Sequence, residues 1–328
     1  MKILILSHDE VVHLLPMTEC IEIMSEALSA LARGEVSQPL RTILKPSAVK
    51  GVLAMMPAFR AGDKPMFGLK AICVFPGNAA IGKDAHQGGV LLFSGETGEP
   101  LAMVNASAIT SIRTAAVSAV ATRSLARADA SELAIIGAGV QARSHLEAMP
   151  CVRSIARARI ASSRFENARQ FASEMQTRFA FPIEAVETAE AAVRSADLIV
   201  TATTSREPVI RREWLSPGAH INAIGTYSPA AREIDTATMA ASSLFVDRRE
   251  SALNEAGDYL LAAKEGAIGP EHIRAELGEV LVGARHGRTS PDEITIFKSL
   301  GLAIEDLAAA AHAYQKAQQQ SVGSWVEF

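Results

Sequence analysis

The sequence predicts an α/β protein that combines a doubly wound parallel sheet with a second, mixed α+β domain. Short β-like runs fill much of the first third, and the glycine- and proline-containing turn at 94–100 is typical of antiparallel strands. From about residue 130, short apolar runs alternate with helical segments, which indicates parallel strands covered on both faces. The length of 328 residues also favours two domains.

The individual elements follow from apolar spacing and from turn residues. An N-terminal strand (MKILILS) precedes a helix over 18–32, whose apolar residues repeat at helical spacing before Gly34. Strands are expected at 41–44, 51–56, 69–74, 89–93 and 101–104, followed by an alanine-rich helix over 114–125. In the alternating part, strands are expected at 133–136, 158–161, 198–201, 221–224 and 244–246, with helices at 141–149 and 165–179. A last alanine-rich helix is expected over 296–318.

Composition and charge exclude several classes of protein. Hydrophobic residues make up 48% and charged residues 21% of the chain, and the net charge is −4, so neither a nucleic-acid partner nor a membrane is indicated. The N-terminal apolar run is too short for a signal peptide. Cys20, Cys73 and Cys151 form no metal-binding pattern, and no histidine pair does, so we predict a cytoplasmic protein without a bound metal.

The segment GAGVQA at 137–142 follows the strand at 133–136 and opens a helix. In this setting the first glycine allows a tight turn, the second lets the backbone approach a pyrophosphate, and the helix N-terminus binds the phosphates. The pattern predicts a Rossmann-like dinucleotide site, although small residues also form ordinary turns. The residues predicted here to bind the cofactor are Gly137, Ala138, Gly139, Val140 and Gln141.

The strand at 158–161 ends in Ser162, Ser163 and Arg164, where a site for NAD usually presents a carboxylate. Two hydroxyls and a guanidinium suit a 2′-phosphate instead, so NADPH is the preferred cofactor and NADH a possible one. Alternatively, Arg164 only begins a solvated helix. The remaining predicted cofactor residues are Thr114, Thr203, Thr204 and Gly225.

Arg41, Lys70 and Arg113 each lie in an apolar or β-like context. Buried cations are costly without an anionic partner, so these residues are candidates for an anion site. The alternative is three unrelated cations in solvent or in salt bridges.

Several ordered motifs resemble the ornithine cyclodeaminase/mu-crystallin family, from about residue 36 to residue 315. They are GGVLLFSGETGEPLAMV, AITSIRTAAVSAVATRSLAR, LAIIGAGVQARSHLEAM, SADLIVTATTSREPVI, GAHINAIGTYSPAAREID and IFKSLGLAIEDLAAA. The resemblance implies a substrate-binding and dimerisation domain (1–118 and 302–328), a Rossmann-like domain (119–301) and a homodimer. It also implies that Arg41, Lys70 and Arg113 bind a substrate carboxylate.

Two departures from the family pattern bear on the substrate. Tyr227 stands where a cyclodeaminase is expected to carry an aspartate, and Ala54 replaces an acidic residue two positions before Met56-Pro57. Without these carboxylates a side-chain ammonium would lack an anionic partner, which costs several kcal/mol. Met56 and its apolar neighbours suit an aliphatic ring or a short side chain.

We therefore expect NAD(P)H-dependent reduction of a small cyclic imino acid, Δ1-pyrroline-2-carboxylate or Δ1-piperideine-2-carboxylate, to proline or pipecolate. Lys70 or Tyr227 would supply the proton. The alternatives are an ornithine or lysine cyclodeaminase with bound NAD, an alanine dehydrogenase-like or N-alkyl amino acid dehydrogenase, and a non-catalytic NADPH-binding protein.

Overall fold

The computed structural model describes residues 2–328, without the side chains at 79 and 80. The chain divides into two compact units. The first unit comprises the residues up to Thr114 together with Gly301–Phe328, and the second is the continuous segment Ala115–Leu300. Within residues 2–328, no helix combines the length and the apolar character that a membrane span requires.

The strands, in chain order, are β1 (Lys2–Leu6), β2 (Val36–Ser37), β3 (Thr42–Leu44), β4 (Val52–Arg60), β5 (Met66–Val74), β6 (His86–Ser94), β7 (Pro100–Asn105), β8 (Glu132–Ile136), β9 (Arg157–Ala161), β10 (Ile183–Ala185), β11 (Leu198–Thr201), β12 (His220–Ala223), β13 (Ser243–Val246), β14 (Ile273–Glu276), β15 (Thr295–Lys298) and β16 (Ser324–Glu327).

The α-helices are α1 (His8–Leu14), α2 (Met17–Ala32), α3 (Ala106–Leu125), α4 (Val140–Ala148), α5 (Phe165–Gln176), α6 (Ala189–Val193), α7 (Thr236–Ala240), α8 (Arg249–Glu255), α9 (Gly257–Lys264), α10 (Leu277–Leu281) and α11 (Ala303–Gln320). Short 3₁₀ helices lie at Pro76–Ile81, Met149–Cys151, Arg212–Trp214 and Pro270–His272.

The first unit is built on one mixed sheet with the strand order β16-β1-β7-β6-β5-β4-β2, and β3 also pairs with β4. Its pairs are antiparallel, except that β1 and β7 run parallel, so the antiparallel sheet predicted for the first third is confirmed.

Residues alternate between the two faces of this sheet. One face of β4 and β5 is buried beneath α11, and a Cβ at Gly68 would come within 2.8 Å of the Leu307 side chain. This close approach brings the start of α11 near Lys70, which lies on the same face of β5. The opposite face is apolar but only half-buried or exposed, and its residues include Leu53, Met55, Phe59, Phe67, Leu69, Leu91, Phe93 and Met103.

The second unit contains a parallel sheet with the order β10-β9-β8-β11-β12-β15-β13-β14. Its central strands β11, β12 and β15 are buried along their whole length, because helices cover both faces. After β8 the chain adds β9 and β10 on one side and β11 on the other. The resulting switch point, between β8 and β11, is where ligands bind at the carboxyl ends of the strands in such sheets. The predicted Rossmann-like α/β fold is confirmed.

One predicted element is wrong. The sequence suggested a single helix over 296–318, whereas Thr295–Lys298 forms β15 between β12 and β13, and α11 begins only at Ala303. The short apolar run at 295–298 fits a buried strand as well as a helix, and periodicity alone cannot separate the two. Gly301 has φ +78°, in the left-handed region, and ends the continuity between them. Two further helix bounds differ from the predicted ones by three residues or more, because α3 begins at Ala106 and α5 ends at Gln176.

Candidate active site

Lys70 and Arg113 meet two acidic side chains in the interior of the first unit. Nζ of Lys70 is 2.6 Å from Oδ2 of Asp306. Arg113 donates from Nε to Oδ1 of Asp306 at 2.9 Å and from Nη1 to Oε2 of Glu305 at 2.8 Å. All four side chains belong to residues that are at most 4% exposed. Asp306 therefore links the two cations in one buried network.

The two acids lie in the first turn of α11, where the helix dipole favours negative charge. The helix has no side-chain cap at Leu302, but Oε1 of Gln38 accepts the backbone N–H of Ile304 at 2.9 Å. The position of α11 on the sheet thus brings both carboxylates to the cations.

Arg41 contacts the same region through a hydrogen bond to the backbone of Gly301. Its Nη2 donates to the carbonyl oxygen of Gly301 at 3.0 Å. A Cβ at residue 301 would lie 2.7 Å from both Nη atoms of Arg113. Glycine therefore leaves room for the Arg113 guanidinium, in addition to allowing the turn. All three cations that were predicted to bind a substrate carboxylate therefore converge on residues 301–306.

The groups of this cluster shift one another's pKa. Burial, assisted by Arg113 and Arg41, lowers the pKa of Lys70 to about 8, although Asp306 opposes the shift. Burial alone would raise the pKa of Asp306, but Arg113 and Lys70 hold that pKa below its ordinary value. With a pKa of about 8, Lys70 can exchange a proton near neutral pH.

Apolar and hydroxyl groups adjoin the cluster. Met56 is buried on β4 directly opposite Lys70, and Ala54 lies on the same face. Thr110 lies one turn before Arg113 and Thr114 on α3, at spacings that place side chains on one helix face. The hydroxyl oxygen of Thr110 is buried and has no hydrogen-bond partner within the described part of the chain. A buried hydroxyl of this kind can bind a water molecule or a ligand.

The second unit carries the dinucleotide turn between β8 and α4. Gly137 has φ +126°, and a Cβ there would lie 2.4 Å from the carbonyl oxygen of Ala202. Gly139 precedes α4 and has no atom within 4 Å of a Cβ position, so its backbone is open to a ligand. No side chain caps α4, and Oε1 of Gln141 is buried without a hydrogen-bond partner among residues 2–328. These features fit a dinucleotide pyrophosphate.

The predicted 2′-phosphate residues lie at the carboxyl end of β9. Ser162 is half-buried, while Ser163 and Arg164 are exposed. Arg164 precedes α5, and its side chain makes no hydrogen bond or ion pair with any residue that the structure describes, so its guanidinium is available to an anion.

Thr203 and Gly225, predicted to bind the cofactor, follow β11 and β12 and contact a buried carboxylate. The backbone N–H and the hydroxyl of Thr203 both donate to Oε1 of Glu233 at 2.7 Å, and the N–H of Gly225 donates to Oε2 at 2.7 Å. These donors are therefore committed inside the protein. Thr204 is exposed. Burial raises the pKa of Glu233, and Lys298 opposes this effect.

Tyr227 lies in the loop after β12 and is 46% exposed. No hydrogen bond from its hydroxyl to another described residue is present. Its neighbour Thr226 belongs to a buried network instead, because Nζ of Lys298 donates to the Thr226 carbonyl at 2.7 Å and pairs with Asp258 at 2.9 Å. Sequence reasoning did not identify Glu233, Lys298, Glu305 or Asp306.

Known proteins resemble this chain over nearly its full length. The model of the ornithine cyclodeaminase/mu-crystallin family matches residues 1–321. A Δ1-pyrroline-2-carboxylate reductase of Bacillus cereus is 38% identical over 326 residues, which cover 99% of this chain and 100% of that protein.

Two solved structures share the fold. That of Thermococcus litoralis Δ1-pyrroline-2-carboxylate reductase, in complex with NADH and L-proline, has a TM-score of 0.95 and 41% identity and covers 98% of this chain and 99% of its own. An archaeal alanine dehydrogenase dimer with bound NAD has a TM-score of 0.94 and 38% identity and covers 100% of both chains.

Proposed function

The chain belongs to the ornithine cyclodeaminase/mu-crystallin family, and on this premise we propose that it reduces a small cyclic imino acid with NAD(P)H. The substrate would be Δ1-pyrroline-2-carboxylate or Δ1-piperideine-2-carboxylate, and the product proline or pipecolate. Relatives of this chain are such reductases, and one of them binds NADH and L-proline.

The observation that carries this proposal is the convergence of Arg41, Lys70 and Arg113 on residues 301–306. A substrate carboxylate would bind these cations, because guanidinium groups offer charge-assisted hydrogen bonds to such a group. Ala54 and Met56 add an apolar wall beside Lys70. Glu305 and Asp306 are engaged with Arg113 and Lys70, so a side-chain ammonium of ornithine would find no equivalent partner there. This favours a ring or a short aliphatic side chain over a diamino acid.

The reaction needs a hydride, a proton and a fixed orientation of the imine. The reduced nicotinamide supplies the hydride to the imine carbon when it is bound. Arg41, Lys70 and Arg113 hold the carboxylate, which fixes the direction of the C=N bond. Lys70, with its pKa lowered to about 8, protonates the imine nitrogen or keeps it protonated, so that the product is the neutral ring amine plus the cofactor's oxidised form. Tyr227 is the second candidate for the proton.

For the cofactor, the relatives bind NADH or NAD. We infer a preference of this chain for NADPH. A site for NAD usually presents a carboxylate to the ribose at the end of the second strand, whereas β9 is followed by Ser162, Ser163 and Arg164, which suit a 2′-phosphate. Gly137, Gly139 and Gln141 would hold the pyrophosphate. The three cysteines form no disulfide in the described chain, which supports a cytoplasmic location.

We also propose a homodimer formed through the apolar, half-exposed face of the first unit's sheet. Phe59 and Phe67 stack on this face with their ring centroids 4.7 Å apart, and Met103 is exposed on it. Large exposed apolar patches mark protein interfaces. Light scattering should give twice the chain mass for the wild type, and Phe67→Glu should give monomers. A monomeric wild type would contradict the proposal.

The proposed reaction is tested by following oxidation of NADPH and of NADH with Δ1-pyrroline-2-carboxylate. We expect turnover with both cofactors, with a lower KM for NADPH. Lys70→Met should abolish turnover, and Tyr227→Phe should keep most of it. Release of ammonia from ornithine with NAD, without imine reduction, would establish the cyclodeaminase instead. Reduction of pyruvate that requires ammonia would establish an alanine dehydrogenase.

A further inference from the structure

Glu233 ties together two neighbouring loops of the parallel sheet. Its Oε1 accepts the backbone N–H and the hydroxyl of Thr203, each at 2.7 Å. Its Oε2 accepts the backbone N–H of Gly225 at 2.7 Å and the hydroxyl of Thr201 at 2.9 Å. The carboxylate is fully buried, and these four donors match its capacity as an acceptor.

The two loops follow adjacent strands, β11 and β12, at their carboxyl ends. They are held in contact, because a Cβ at Gly225 would lie 2.2 Å from the carbonyl oxygen of Thr203 and 2.5 Å from Oε1 of Glu233. Ligands of doubly wound sheets bind at this edge. Any change in the spacing of the two loops therefore changes the shape of the edge itself.

A second layer fixes Glu233 in turn. Oδ1 of Asp258 accepts the backbone N–H groups of Glu233 and Ile234 at 2.7 and 2.9 Å. Oδ2 of Asp258 pairs with Lys298, which also donates to the carbonyl of Thr226. The ion pair at the end of β15 thereby anchors both the backbone of Glu233 and the loop after β12.

We propose that Glu233 is a positioning residue for the nicotinamide end of the cofactor: it sets the spacing of the Thr203 and Gly225 loops and touches neither cofactor nor substrate. The proposal rests on the proposed dinucleotide-dependent function. In this proposal Thr203 and Gly225 shape the binding site for the nicotinamide end of the cofactor, and their backbone N–H groups donate to Glu233 rather than to the cofactor.

The test is Glu233→Gln. A glutamine presents one carbonyl oxygen and one NH₂ group, so it cannot accept the N–H of Thr203 and the N–H of Gly225 on separate oxygens. One buried donor then lacks an acceptor, which costs about 1–3 kcal/mol. We expect KM and Kd for NADPH or NADH to rise about 10- to 100-fold, while KM for the imine changes less than about twofold. Thr201→Val removes one hydroxyl donor only, and it should shift cofactor affinity in the same direction by a smaller factor.

Asp197→Asn is the matched control. Oδ2 of Asp197 accepts the N–H groups of Ser131 and Glu132 at 2.9 and 3.0 Å, so this carboxylate also joins adjacent strands, but at the amino ends of β8 and β11. This variant should lose thermal stability and keep its cofactor affinity.

The outcomes distinguish a failure of the proposed function from a failure of the role proposed for Glu233. Calorimetric titration with NADH measures binding without turnover, and a wild type that binds no cofactor would contradict the proposed function. If the wild type binds NADH and Glu233→Gln binds it equally well while melting lower, as Asp197→Asn does, Glu233 has only a structural role and the inference is wrong. If Glu233→Gln does not fold, an unchanged Kd in Thr201→Val would overturn the inference.

Discussion

Replacing Asp306 by asparagine tests how the buried cluster controls Lys70. The substitution keeps the shape of the side chain but removes the charge that lies 2.6 Å from Nζ of Lys70 and 2.9 Å from Nε of Arg113. At an effective dielectric constant of about 20, two unit charges 2.6 Å apart attract by roughly 6 kcal/mol. Because the pair's desolvation cost offsets part of this attraction, breaking a buried pair typically destabilises a protein by about 3–5 kcal/mol.

Two measurements follow from this change. The melting temperature of Asp306→Asn should fall on the order of 10 °C. The second is the pH dependence of imine reduction, in which a protonated Lys70 is required and the rate falls as pH rises through the pKa of Lys70. That pKa is about 8 in the wild type, and Asp306 is the group that raises it, so the midpoint should move to lower pH in the variant.

Glu305→Gln is the matched control, because Glu305 pairs with Arg113 and is not among the groups that shift the pKa of Lys70. It should lower the melting temperature comparably and leave the pH midpoint near that of the wild type. The substrate is the same in all three proteins, so a difference between midpoints reports a group on the protein. Identical pH profiles for the wild type and Asp306→Asn would refute Lys70 as the titrating proton donor.

Three further predictions concern ligand binding. Gly139→Ala should leave the melting temperature unchanged, since nothing lies within 4 Å of its Cβ, but should weaken NADH binding about tenfold or more in a titration. Gly137→Ala should instead destabilise the apoprotein by about 1–3 kcal/mol or more, because φ is +126° and the new Cβ would lie 2.4 Å from a backbone oxygen. A stable Gly137→Ala together with a destabilised Gly139→Ala would contradict our assignment of the turn. Arg164→Ala should raise KM for NADPH about 10- to 100-fold and leave KM for NADH unchanged, and equal effects on both would exclude a 2′-phosphate contact. Thr110→Val should raise KM for the imine several-fold, by about 1 kcal/mol of lost hydrogen bonding, without lowering the melting temperature, whereas an unchanged KM would show that its hydroxyl does not meet the substrate.

The fold class follows from sequence because both sheets leave strong local signals. Alternating residues on β4 and β5 and the glycine-rich turn after β8 are visible without any tertiary information. The strand at Thr295–Lys298 was missed because its conformation is decided by pairing with β12 and β13, which are distant in the chain. A short apolar run next to an alanine-rich helix carries no local mark of such pairing.

The candidate site was also only partly predictable, because contacts between distant residues leave no local pattern in the sequence. Arg41, Lys70 and Arg113 stood out as cations in apolar surroundings, but their protein partners did not. The sequence did hold a signal, because Glu305 and Asp306 are adjacent acids at the start of a helix whose next five residues are apolar, and buried acids need cations. Glu233 offered no such signal, since its role depends on donors from two loops that only the folded sheet brings together.

The discontinuity of the first unit affects the order in which the chain folds during synthesis. The second unit, Ala115–Leu300, is continuous, and it is translated before Gly301–Phe328. Until α11 emerges, Lys70 and Arg113 lack the two carboxylates that compensate their charges, so the first unit cannot close its interior at low cost. The first unit therefore completes its interior and its sheet only after the second unit has been translated.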